Sequence, residues 1–148
     1  MTVITLTFSV RPEQGEADEF DLGDVMCEGE HGSVGSAGHV PDQGMMIYLS
    51  VAVLLDSLRP LVAGEMTTAS FVGTGSSFRL DFRRDGDAVV TVSANGTLVG
   101  SCRPGELAEA VLRPAAQLER NLLSRLPAES GAGRGLASSL ERFRTASA

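Results

Sequence analysis

The residues best suited to chemistry lie in one short stretch: Cys27, His31 and His39, with Asp24, Glu28 and Glu30 beside them. A thiolate and imidazoles suit the borderline-soft character of zinc, and Cys27-x3-His31 offers two such donors close together. Structural zinc sites use tighter paired spacings and four ligands, so the fourth donor here would have to be a carboxylate or Cys102. Cys27, His31 and His39 are therefore the candidate metal ligands, set against the simpler reading of a solvated loop. The chain has two histidines in all, and the same pair would have to serve any nucleophilic centre. A nucleophile such as Cys27, Ser76 or Ser77 needs a positioned base and an orienting acid, and no nucleophile-elbow pentapeptide is present. A hydrolase using this loop is the alternative enzymatic reading.

Two other patterns imitate chemistry. Gly73-Thr74-Gly75-Ser76-Ser77 comes after an apolar run, as a phosphate cradle would, but a cradle needs amides converging at a helix N-terminus. The next residues, Phe78-Arg79-Leu80-Asp81-Phe82, alternate like a strand, which makes the glycines a turn. Carboxylates crowd residues 13–30, yet a general acid needs an apolar pocket to raise its pKa. A dense exposed acidic run supplies the opposite. No cofactor is implied.

The charge has a pattern of its own. Of the net −7, residues 1–43 carry nine carboxylates against Arg11 alone, a local −8. Such a field opposes nucleic acid and favours a basic partner. The candidate contact residues are Glu13, Glu16, Asp18, Glu19, Asp21, Asp24, Glu28 and Glu30. All twelve cations are Arg, which fits the codon pool of a high-GC bacterium better than it fits phosphate chemistry. The first ten residues lack the basic and continuous apolar regions of a signal peptide. The longest uncharged apolar stretch, Gln43 to Leu55, is too short to span a bilayer. The expectation is a cytoplasmic protein with free thiols at Cys27 and Cys102 and no membrane partner.

The elements that must position these residues are set by periodicity. Thr2–Val10 alternates, with Ile4, Leu6, Phe8 and Val10 on one face, as a half-buried strand does. Phe20, Leu22, Val25 and Met26 mark a second strand. Gly29–Gly44, punctuated by glycines, serines and Pro41, reads as a long loop. Met45–Leu49 predicts a strand running into a helix capped by Ser50, on which Val51, Leu54, Leu55, Leu58 and Val62 form one stripe. Further strands are predicted at Thr67–Val72, Ser77–Arg83, Ala88–Ser93 and Thr97–Cys102, with Asn95-Gly96 a strong hairpin turn. A second helix opens at Pro104, ends at Pro127 and aligns Leu107, Val111, Ala115, Leu118, Leu122 and Leu126; Pro114 should kink it.

The predicted fold is α+β: a mainly antiparallel twisted sheet of about six to seven strands with two amphipathic helices on one face. Residues 1–127 form the domain, and 128–148 a Gly/Ser-rich linker with a short C-terminal helix or tail. Met45, Met46, Val53 and Leu61 add apolar surface outside the first helix's stripe, which would suit a homodimer or a partner contact. A small acidic chain of this kind is similar in general character, though in no motif, to immunity proteins, secretion chaperones and other accessory factors. That likeness implies a non-enzymatic protein-interaction module. The second reading is a small-molecule or metal-binding protein centred on Cys27, His31 and His39.

Overall fold

The computed structural model describes residues 4–12, 14–127 and 129–147. Two stretches of strand are separated by a helix, and two further helices complete the chain. The strands are β1 (Thr5–Val10), β2 (Leu22–Gly29), β3 (Gly32–Gly35) and β4 (Met45–Met46), then β5 (Thr68–Val72), β6 (Arg79–Asp85), β7 (Val89–Ala94) and β8 (Thr97–Cys102). The helices are α1 (Ile47–Val62), α2 (Pro104–Arg125) and α3 (Gly131–Ser147). Thr2 and Val3, which the sequence places in the first strand, lie outside the described residues.

The fold is α+β and antiparallel, but its strands divide into two four-stranded sheets rather than one. β1 and β2 pair, β3 and β4 both pair with the other side of β2, and β5-β6-β7-β8 form a separate meander. The division arises because the glycine-rich stretch is not all loop. Gly29 turns straight into β3, which pairs back on Met26–Gly29, while Met45 and Met46 pair with Gly23 and Leu22. Two backbone bonds link the sheets: His31 N–H donates to Val99 O at 2.9 Å, and Met46 N–H to Thr74 O at 3.0 Å. In the meander, Asn95 (φ 51°) and Gly96 (φ 80°) adopt the left-handed conformations that a two-residue hairpin demands.

α1 starts four residues earlier than the sequence suggests, at Ile47 with Met46 before it, so Ser50 is not its cap. Ser50 is buried within the helix, and its hydroxyl accepts the Thr74 N–H at 2.9 Å. Ile47 and Tyr48 are buried too, so tertiary packing rather than a capping signal sets the helix start. α2 opens at Pro104, with the Glu106 carboxylate accepting the Arg103 N–H at 2.9 Å, and remains helical through Pro114 to Arg125.

α1 and α2 pack with the sheets, and a third helix packs on those two. α3 lies against α1 and α2 and buries Leu136, Leu140 and Phe143 in the same apolar cluster as Ile4, Leu58 and Leu80. The expected surplus apolar surface near α1 is largely core: Met45 and Leu61 are fully buried, Met46 is half-buried, and Val53 alone is exposed.

Candidate functional site

Strand alternation gives the first sheet two chemically different faces. Leu6, Val25 and Cys27 are buried on the inner face. The outer face carries Thr5, Thr7 and Ser9 on β1 opposite Glu28, Met26 and Asp24 on β2, with Leu22 opposite Met46 of β4. Leu22 is 38% exposed, Met26 40%, and Phe20 in the preceding turn 55%. No described helix covers these side chains. The outer face of the second sheet differs: there Arg79 grips Asp81, which also accepts from Ser70, and Arg83 meets Asp85. Its charges neutralise one another, whereas the first sheet sets apolar side chains beside surplus acid.

The acidic candidates separate by what they touch. Glu16, Asp18, Glu28 and Glu30 are exposed, Glu30 meeting His31 Nε2 at 3.2 Å. Glu19 is half-buried, its carboxylate against Gly131 at the start of α3. Asp21 is buried and holds its own turn together, its carboxylate accepting the Asp18 N–H at 3.2 Å. Asp24 is bound by Arg11 and by the Ser36 hydroxyl. Glu13 lies outside the described residues. Among the described residues Glu16 and Glu28 make no side-chain bond, Asp18 and Glu30 are exposed but bond the Phe20 N–H and His31, and Asp21 and Asp24 build the scaffold.

Arg11 organises the loop beside this face. Its guanidinium reaches Asp24 through Nε and Nη2 at 2.9 Å and Asp42 through Nη1 and Nη2 at 2.8 Å. Paired geometry of this kind is the strong form of an ion pair. It holds both carboxyls below the usual carboxylate range. The Ser36 hydroxyl donates to Asp24 and accepts the Val25 N–H, so the stretch from 36 to 44 is tied to β1 and β2. Sequence reasoning missed Arg11 and Asp42; the isolation of Arg11 among nine carboxylates was the signal.

The chemistry-bearing loop residues take up different environments. Cys27 points into the core, where burial, with Cys102 and Glu28 nearby, pushes its thiol up to about 12. Burial likewise pushes Cys102 up to about 11. A metal ligand or nucleophile needs the thiolate, the form this setting disfavours. His31 and His39 are exposed, His39 Nε2 lying 2.7 Å from Gly35 O. Among the described residues, no three His, Cys, Asp or Glu side chains converge as metal donors. Gly73–Ser77 is a turn between β5 and β6, where the Ser76 hydroxyl donates to Gln43 O and accepts the Phe78 N–H. Among the described residues, no helix is long and apolar enough to cross a membrane.

The fold and this face define a small two-sheet α+β domain with one acid-rimmed apolar surface. Compared with protein-family models, with curated proteins and with solved structures, the chain gives no match.

Proposed function

We propose that the protein is a non-enzymatic interaction module that docks a basic surface of another protein on the outer face of its first sheet. The observation that carries this reading is the exposure of Phe20, Leu22 and Met26 together with that of the carboxylates Glu16, Asp18, Glu28 and Glu30 along the same stretch of chain. An interface commonly buries an apolar centre within a polar rim, and a rim of one sign selects a partner of the other sign and speeds encounter. The partner is accordingly a protein with an Arg/Lys-rich surface around an apolar patch, as an accessory or immunity-type factor would cover.

The test uses defined proteins: the products of the adjacent genes, expressed singly and titrated against the full chain. A true partner should lose at least about tenfold in affinity between about 50 and about 300 mM salt. Met26→Lys should weaken it through the centre, and Glu28→Gln with Glu30→Gln through the rim. Affinity that is indifferent to salt and to all three substitutions would refute the docking face.

A further inference from the structure

The outer edge of β1 is a surface of a different kind. Arg11 N–H donates to Leu22 O at 3.0 Å, one step beyond the Val10–Gly23 pair. On the other side of β2, Ser36 N–H donates to Val25 O at 3.0 Å. Backbone groups alternate sides along an antiparallel strand. Thr5, Thr7 and Ser9 therefore bond β2, and the amides and carbonyls of Leu6, Phe8 and Val10 point away from it. β1 ends its sheet, and among the described residues those outward groups have no partner.

Proteins blunt an open edge with charge, proline, a bulge or a cover. β1 has neither charge, proline nor bulge: its six residues, TLTFSV, pair with β2 without a break in register, and α2 packs beside the strand without bonding its outward groups among the described residues. Two of the other edges are managed, whereas β5, at the far end of the second sheet, is as plain (TASFV) as β1. β8 is irregular opposite Val92/Ser93 and gives its Val99 carbonyl to His31, while β3 has only four residues.

α2 runs beside this edge. Thr5 and Leu6 share a cleft of about 300 Å³ with Glu106, Glu109 and Arg113. Phe8 and Val10 share a second, of about 580 Å³, with Asn121, Ser124 and Arg125. Strand and helix thus run in the same direction as the walls of one trough, net acidic at its start and basic at its end. We propose that this trough is a two-fold interface in which the β1 edges of two copies of this chain pair antiparallel.

A two-fold interface must be complementary to itself. Two antiparallel strand edges satisfy that condition, completing each other's ladder across an eight-stranded sheet formed from two four-stranded ones. The same rotation sets the two α2 helices antiparallel, so that Glu106 and Glu109 of one copy approach Arg125 of the other. The helix dipoles then also oppose each other favourably. A partner of uniformly basic surface would meet Arg113 and Arg125 instead, which argues for a second copy here.

The test is sedimentation velocity on the full chain, with amide exchange as a second measurement. The wild type should dimerise by about 100 µM, and the amides of Leu6, Phe8 and Val10 should gain protection as concentration rises. Thr7 is exposed at the middle of the strand, so Thr7→Lys places two like charges across the axis without entering the core. It should raise the dimer dissociation constant about tenfold or more. Arg125→Glu on the surface of α2 should also weaken the dimer, and adding Glu109→Arg should restore it. A monomer at about 100 µM overturns the proposal. So does a dimer untouched by Thr7→Lys and Arg125→Glu, or one in which those three amides exchange as fast as in the monomer.

Discussion

Arg11 is 28% exposed and Asp24 17%, so the clamp between them is screened only in part. Replacing Arg11 with Ala should cost about 1–2 kcal/mol near pH 7, because Asp24 is left half-buried without its cation. Asp42→Asn should cost less, its carboxylate being more exposed. The pH dependence has a definite sign. Both carboxyls are more acidic in the folded protein than the ordinary 3.8, so the folded state holds fewer protons and is favoured above that value. The stabilisation is lost as pH falls below 3.8 and these carboxylates protonate. Urea midpoints of wild type and Arg11→Ala should therefore converge as pH drops from about 6 toward about 2. A gap that stays constant over that range would mean that Arg11 stabilises by packing alone. Gly44 belongs to the same device, since a side chain there would collide with the guanidinium.

The C-terminal helix shows what periodicity reveals about an element and what it conceals. α3 buries Leu136, Leu140 and Phe143 completely, so Phe143→Ala should lower stability by about 3–5 kcal/mol. A Phe143→Ala protein with the wild-type urea midpoint would place α3 outside the cooperative unit. The i, i+4, i+7 spacing of those three residues was visible in the sequence. The glycines at 131, 133 and 135 obscured it, since each lowers helix propensity by about 1 kcal/mol relative to Ala. The stripes of α1 and α2 and the β5–β8 meander were legible because long apolar periodicity and Asn95-Gly96 are strong local signals. β3 was not, because Gly32-Ser33-Val34-Gly35 carries no alternation and becomes a strand only through its pairing with β2. The candidate site was legible in part. Counting charges found the acid, but only tertiary structure separates Glu28 and Glu30, exposed at the surface, from Asp21 and Asp24, spent on the scaffold.

For the whole molecule, the decisive junction is where the first sheet meets the second, and it depends on backbone approaching backbone. A Cβ on Gly29 would lie 2.5 Å from the Val99 carbonyl oxygen and 3.0 Å from Ile4 Cδ1. A Cβ on Gly100 would lie 3.2 Å from the Glu30 nitrogen. The carbonyl that Gly29 would strike is the one His31 uses to bond the sheets. Gly29→Ala must therefore push β2 and β8 apart, with a cost on the order of 1–3 kcal/mol from strain in a packed interior. The thiols report on the same junction. Cys27 on β2 and Cys102 on β8 are buried, and each is held in its protonated form. Folded thiols that titrate above the ordinary 9.0 favour the native state below that pH, and stability should decline as pH rises from 9.0 toward about 12. At about pH 8, below both thiol values, the native wild type should resist an aromatic disulfide reagent and yield both thiols only after unfolding. Gly29→Ala, still folded by circular dichroism, should react measurably faster at both cysteines, because the opening exposes the two strands together. Acceleration at one cysteine only, or none with an unchanged melting temperature, would show that the sheets are held by the helices beneath them rather than by their own close approach.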